Sequence, residues 1–168
     1  SISGVTLTED WAEDAAAIAE SQLGYRESEK NYQVAEDGVT VKGYTRYGDW
    51  YGDPYGDWSA MFVSFCLNYA GVPQSAVPQE SDCSRWVQAL TQCGLYHASD
   101  YAPKQGDLVF FDRDGNGASD HVGVITGAAK DESGHVTQIS TVEGDSAGCV
   151  QRGSYNLSQS VLSGFASL

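Results

Sequence analysis

The run Asp57-Trp58-Ser59-Ala60-Met61-Phe62-Val63-Ser64-Phe65-Cys66-Leu67-Asn68-Tyr69-Ala70, residues 57–70, reads as an apolar central helix. It follows a loop rich in Gly, Asp and Tyr, and Gly71 and Pro73 stop it. Ser59 then falls at the helix N-terminus, where a nucleophilic side chain is exposed and electrostatically favoured.

Upstream, Thr8 to about Leu23 reads as a first helix, with Thr8 as cap and Glu9 and Asp10 in its first turn. Trp11, Ala15, Ile18, Ala19 and Leu23 give it an apolar stripe, and Gly24 ends it. Residues 25–57 form a long polar and aromatic stretch with weak regular structure, a length that points to a functional loop. A further helix is expected over 82–93, with Trp86 on its packing face.

Beyond it the pattern changes. Residues 107–112, 121–126, 136–142, 149–153 and 161–165 read as short strands between Gly and Asp turns. Helices followed by a meander of strands indicate an α+β fold with the helices on one face of an antiparallel sheet. The 168 residues fit a single domain, 1–168. No repeat or linker interrupts them, and no apolar run is long enough to span a bilayer. No signal peptide is visible, and the start at Ser1-Ile2-Ser3-Gly4 reads as a mature or excised domain.

The net charge of −14 argues against a nucleic-acid binder and against docking on anionic lipid or wall polymer. It suits solubility in a secreted or cell-surface protein. Of the four cysteines, no two form a CxxC pair, which leaves zinc and thioredoxin-like sites without support. Cys66 reads as a buried small hydrophobe, and Cys83 with Cys93 would close a short disulfide loop.

Acyl transfer needs a nucleophile, a base and a group that orients the base. Among the three histidines, His97 follows a helix in a loop and His135 sits at an exposed turn. His121 opens the strand His121-Val122-Gly123-Val124-Ile125, and Gly123 on its face would leave room for a helix terminus. Glu143 and Asp145 end an apolar strand beside it, and either would bond the imidazole.

The stretch 58–66 resembles the nucleophile helix of CHAP-domain cysteine amidases and peptidases, relatives of the NlpC/P60 peptidoglycan hydrolases in the papain-like group. Gly106-Asp107-Leu108-Val109-Phe110-Phe111-Asp112 with Asp120-His121-Val122-Gly123-Val124 resembles that family's histidine hairpin. Val142-Glu143-Gly144-Asp145, with Val150, Arg152 and Tyr155, resembles its third motif. Gln22-Leu23-Gly24-Tyr25 with Glu27, and Tyr44-Thr45-Arg46-Tyr47-Gly48, resemble the approach to the nucleophile in Gram-positive members.

The resemblance implies a Cys-His-acid triad that cleaves peptidoglycan amide bonds without a required cofactor. Carried over, the nucleophile is position 59, the base His121 and the orienting acid Glu143, with Asp145 where many members carry Asn. Here position 59 is Ser. A hydroxyl lacks the ionised population that a helix terminus and an imidazolium give a thiol. The expectation is therefore a variant disarmed by Ser59, beside the alternative of a natural Ser-His-Glu hydrolase. Rival readings are a noncatalytic wall-binding module and an amidase or protease on another substrate. Wall targeting would come from separate modules.

Asp112, Asp114, Asn116 and Asp120 fall where a calcium loop carries oxygen ligands, with Gly117 at its turn, but Gly123 stands where the closing Glu belongs. A polar hairpin with Asx turns stands ahead of calcium there. Asp49, Asp53 and Asp57 read as a solvated loop, although some CHAP lysins hold calcium in the equivalent segment. Trp50, Tyr51, Tyr55 and Trp58, together with Tyr47, crowd the approach to Ser59. Aromatics at this density suit groove walls better than a core, and some are expected to pack as a lid on the sheet. Trp50, Tyr51, Tyr55 and Trp58 are candidate substrate contacts, and at least Trp50 or Tyr51 is expected to line the groove.

Overall fold

A computed structural model of the chain describes residues 2–98 and 100–168. Its first helix, α1 (Trp11–Ser21), is capped by Asp10, which accepts the Glu13 N–H. Thr8 is not the cap, because Glu9 has a φ of 69° and the helix begins only at Trp11. Thr8 instead gives its N–H and hydroxyl to the buried Asp14 carboxylate at 2.9 and 2.8 Å. Ala15, Ile18 and Ala19 face the core.

The stretch read as weakly regular contains a hairpin of β1 (Tyr32–Val34) and β2 (Val41–Gly43) and a short helix, α2 (Arg46–Tyr51). Thr45 caps α2 by accepting the Gly48 N–H, and left-handed Gly52 ends it. The central helix α3 (Ser59–Tyr69) packs on α1, α2 and the sheet. It is apolar on nearly every side because nearly every side is covered.

Tyr47 and Trp58 belong to that core and do not wall a groove. Tyr47 is fully buried and stacks on Trp58 at a centroid distance of 5.5 Å, while Tyr25 and Phe62 meet Tyr47 edge-on. The two rings fill the junction between α2 and α3.

Helix α4 (Cys83–Gln92) starts at an Asp82 cap and buries Trp86, as its sequence indicates. All four cysteines are free. A ten-residue helix separates Cys83 from Cys93, which spaces their Cα atoms roughly 15 Å apart. A disulfide tolerates less than about 7 Å, so the short-loop pairing does not form.

Strands β3 (Tyr96–His97), β4 (Leu108–Phe111), β5 (His121–Lys130), β6 (Val136–Ser146), β7 (Cys149–Asn156) and β8 (Leu162–Ala166) make one antiparallel sheet. Their spatial order is β3-β8-β4-β5-β6-β7. Leu108, Phe110, Val122, Val124 and Val142 pack with the helices. Val109, Phe111, Ile125, Ile139 and Phe165 form a second cluster with Tyr101 and Tyr155. Covering both faces explains the unbroken apolar run in β4. The fold is thus α+β with the main helices on one face of the sheet. Among the described residues, no helix is long and apolar enough to cross a membrane.

Candidate functional site

Ser59 is the first residue of α3, and its side chain is 6% exposed. The preceding Trp58 gives that helix no side-chain cap. Asp145 takes up the Trp58 backbone N–H instead, at 3.1 Å across from β6. The approach of β6 to α3 depends on Gly144, where an added Cβ would lie 2.6 Å from Phe62 Cβ. Glu27 holds the other side of Trp58, accepting its indole N–H at 3.4 Å and the Gly43 N–H at 2.9 Å. Two carboxylates thus clamp the residue just before Ser59. The Ser59 hydroxyl itself meets Cys83 Sγ, in the first turn of α4, at 3.6 Å.

His121 opens β5 and is 1% exposed, with its ring against Phe111 at a centroid distance of 5.3 Å. Its Nε2 lies 2.7 Å from Glu143 Oε1. The carboxylate can only accept there, so Nε2 carries the hydrogen and neutral His121 keeps its lone pair on Nδ1. That Nδ1 is buried and has no hydrogen-bond partner among the described residues.

The second oxygen of Glu143 accepts the Thr141 hydroxyl at 2.5 Å and the Tyr155 hydroxyl at 2.7 Å. Burial pushes the Glu143 carboxyl up. The hydrogen bonds from His121, Thr141 and Tyr155 outweigh that effect and hold it below its ordinary range. Burial, and the hydrogen bond to Glu143, push the Tyr155 phenol up, so it stays a donor.

The space for this carboxylate comes from two glycines. A Cβ on Gly123 would lie 2.7 Å from Glu143 Cγ, and one on Gly153 would run into Glu143 Oε2 and Thr141 Oγ1. The expectation that Gly123 admits a helix terminus is corrected. Gly123 makes room for Glu143, and Gly144 is the glycine that lets α3 approach.

Asp145 takes no part in the imidazole bond. Burial raises its carboxyl above the ordinary range; the Trp58 N–H counters this, while Glu27 and Asp57 add to it. Its φ of 54° lies in the left-handed region. Of the two acids left open by the sequence, Glu143 bonds His121 and Asp145 fixes the start of α3.

Two cavities, of about 460 and 510 Å³, open on Ser59. Both are bordered by Asp57 and by Asp120, the neighbour of His121. Lys42, Asp82, Cys83 and Arg85 line the first, and Arg113, Asp114 and Asp145 the second. Trp50, Tyr51, Tyr55 and Trp58, the candidate substrate contacts, line neither one. Trp58 is buried beside a small recess with Lys42 and Asp145. Tyr55 is half-buried and bonds Asn31 at 2.7 Å. Trp50 and Tyr51 line a separate cavity. They fall elsewhere because α2, unrecognised in the sequence, turns them away from Ser59.

The sequence assigns no role at the site to Thr141 or Cys83, and Glu27 and Tyr155 enter there only as parts of motifs. Thr141 had a signal, since alternation along β6 sets it on the Glu143 face. Arg152, quoted beside Tyr155, pairs with Glu20 on the surface at 2.6 Å. His97 bonds Ser167 and stacks on Tyr101, and His135 is exposed, so both lie apart from the site.

In the β4–β5 hairpin, Asp112, Asp114 and Asp120 bring carboxylate oxygens within 4.8 Å of one another. An all-oxygen set suits a hard divalent cation. The loop also closes on itself. Asp112 accepts the N–H groups of Gly115, Asn116 and Gly117, and Asp120 those of Arg113 and Asp114. The Gly117 N–H does most to hold Asp112 below the usual carboxylate range. Asn116 turns inward on Asp114 and Ala118, and Arg113 Nε stands 3.6 Å from Asp120.

A helix whose first residue opens on a cleft, laid on an antiparallel sheet whose adjacent strands hold a bonded histidine and carboxylate, is the papain-like arrangement of amide-bond hydrolases. The family model of the CHAP domain matches residues 48–146, from α2 to the end of β6, and the chain belongs to the CHAP domain family. That family comprises hydrolases of the amidase and peptidase type with peptidoglycan as substrate. No curated protein and no solved structure matches the chain at a significant level.

Proposed function

We propose that this domain is built to cleave an amide bond of peptidoglycan through an acyl-enzyme, as a muramoyl-alanine amidase or as an endopeptidase of the stem peptide or cross-bridge. The observation that carries this reading is the buried His121–Glu143 pair with an unpartnered Nδ1. A wall-binding module has no use for a histidine oriented in this way and left with a free lone pair. In the reaction, His121 takes the proton of the group at position 59 as that group attacks the carbonyl carbon. The backbone N–H of residue 59 receives the oxyanion. Collapse returns the proton to the departing amine, and water then releases the acyl group by the same route. Glu143 holds the imidazole in the required tautomer throughout.

On this reading the chemistry belongs to a thiol at position 59. Ser59 must lose its proton in the transition state, and among the described residues its hydroxyl has only Cys83 Sγ within hydrogen-bonding distance. The serine form is accordingly inactive, and Ser59→Cys restores cleavage. Cys83 does not substitute, because burial pushes its thiol up to about 11. The chemistry runs on protein groups alone. A divalent cation taken up by Asp112, Asp114 and Asp120 would act by fixing the hairpin that carries His121. Work on a wall substrate implies a secreted or cell-surface location, with other modules supplying attachment.

The test is digestion of purified peptidoglycan by this chain and by Ser59→Cys, with the products identified by mass spectrometry. New amine and carboxyl ends in the cysteine form alone support the reading and identify the bond. Equal activity of both forms would make it a serine hydrolase. Inactivity of a folded Ser59→Cys protein on peptidoglycan overturns the assignment.

A further inference from the structure

Trp50 and Tyr51 of α2, Asn68 of α3, and Gln74 and Gln79 of the following segment line a cavity of about 440 Å³. It falls in the size range of small-molecule sites, ~300–1,000 Å³. The chain has 23 acidic and nine basic residues, yet none of them lines this cavity. The two cavities at Ser59 are lined mostly by charged side chains.

The polar groups of the lining are open to solvent: Asn68 and Gln74 are exposed, and Trp50, Tyr51 and Gln79 are half-buried. Meanwhile the indole is held in place. Trp50 meets Phe65 edge-on at 5.7 Å and Tyr51 at 6.0 Å, and Phe65 in turn packs on Tyr69 at 4.6 Å.

A charged ligand would find no counter-charge here, and a purely apolar one would strip water from the polar groups without replacing its hydrogen bonds, at a cost. What fits is a neutral molecule with flat C–H faces and a rim of hydroxyl and amide groups. Carboxamides offer such a rim both a donor and an acceptor, and the indole offers a flat apolar plane.

We propose that this cavity is a saccharide subsite for neutral N-acetylated amino sugars of a glycan strand. The inference rests on the peptidoglycan reading above and divides that substrate between two surfaces: the sugars at Trp50 and the charged peptide at Ser59. The surfaces are joined through one short segment. Gln79 lines the sugar cavity, and Ser81 lines the cleft over Ser59. Between them Glu80 is pinned to α3, its carbonyl accepting the Ser64 hydroxyl at 2.9 Å.

The test is a two-dimensional NMR titration of the ¹⁵N-labelled chain with an N-acetylglucosamine oligomer and, separately, with a free peptide bearing carboxylates and an amine. The oligomer should shift the Trp50 indole N–H and the carboxamides of Asn68, Gln74 and Gln79 saturably, and the peptide should not. Trp50→Ala, and the double variant Asn68→Ala/Gln74→Ala on the exposed rim, should each weaken binding at least about tenfold. The absence of saturable shifts overturns the proposal. So do shifts confined to the residues around Ser59, the same shifts from the peptide, or undiminished binding in a folded double variant. Binding needs no nucleophile. Sugar shifts without cleavage by Ser59→Cys would therefore sink the hydrolase reading and keep the subsite, and cleavage without sugar shifts would do the reverse.

Discussion

The Tyr155 hydroxyl lies 2.7 Å from Glu143 Oε2, the carboxylate oxygen that His121 does not use. The phenol bonds the ionised form of Glu143, so its removal should be felt mainly where Glu143 is charged. The folded-state carboxyl lies below its ordinary value. Its contribution to stability is then complete above the ordinary carboxylate range and is lost as pH falls through the folded value. Tyr155→Phe keeps the ring packed on Phe111 and should cost about 1.5–3 kcal/mol near pH 7. The cost should shrink once Glu143 is protonated in both proteins. Urea unfolding at a series of pH values from 7 downward reads this directly. A loss that stays constant over the whole acid range in which the protein remains folded would mean that the hydroxyl matters for some reason other than the carboxylate.

Gly153 matters through the volume it leaves empty. Its φ is ordinary, so Ala meets no backbone strain, but the added methyl would collide with Glu143 Oε2 and Thr141 Oγ1. Gly153→Ala should therefore displace the carboxylate and lower stability by about 1–3 kcal/mol. In the Ser59→Cys background it should also lower kcat more than it raises KM, because it disturbs the base and not the cleft walls. Full activity in that double variant would show that the Glu143 slot tolerates the change.

Asp145 makes the opposite prediction. Its carboxyl is raised by burial, so the folded state binds this proton more tightly than the unfolded chain. Stability associated with it falls as pH rises from the ordinary carboxylate range through the folded value. Asp145→Asn keeps an acceptor for the Trp58 N–H, loses the buried charge, and suits the φ of 54°. It should raise Tm at pH 7, with the gain vanishing near pH 3. Asp145→Ala leaves that N–H without its partner and should cost about 1–3 kcal/mol. Thermal melts of both variants across pH decide it; a loss of Tm on Asn substitution at pH 7 would count against a buried-charge penalty.

The parts of this molecule that could be read in its sequence are those whose signals are local. The central helix is bracketed by a Gly-rich loop and by Gly71 and Pro73, and the His121 strand carries a continuous apolar run. The helix falls within two residues of its expected limits, and the strand begins at His121 as expected. The β1–β2 hairpin escaped because its strands are three residues long and expose Tyr32, Val34 and Val41. Beyond residue 126, β5 is exposed and lacks alternation, so its extension was missed. The role of Gly123 depends on the pairing of β5 with β6, in which Val124 faces Val142. The burial of Tyr47 and Trp58 depends on how α2 meets α3. Such relations between distant segments leave no mark in local composition, although they decide which acid reaches the imidazole.

Three of the four free thiols give a final prediction, because the environments of Cys93, Cys83 and Cys66 rank their reactivity. Cys93 is exposed at the C-terminal end of α4 and should react with a thiol reagent at once. The Cys83 thiol is buried beside Ser59 and pushed up to about 11, mainly by burial. At pH 8 it exists almost wholly as the unreactive thiol and should label slowly, gaining rate as pH rises. Cys66 lies in the core of α3, where burial raises it further, and should label only on unfolding. Peptide mapping after timed alkylation checks the order. Rapid labelling of Cys83 at pH 8 would show that its thiol is ionised at the Ser59 cleft, and would reopen it as a nucleophile. Slow labelling leaves position 59 as the only place in that cleft where an activated sulfur belongs.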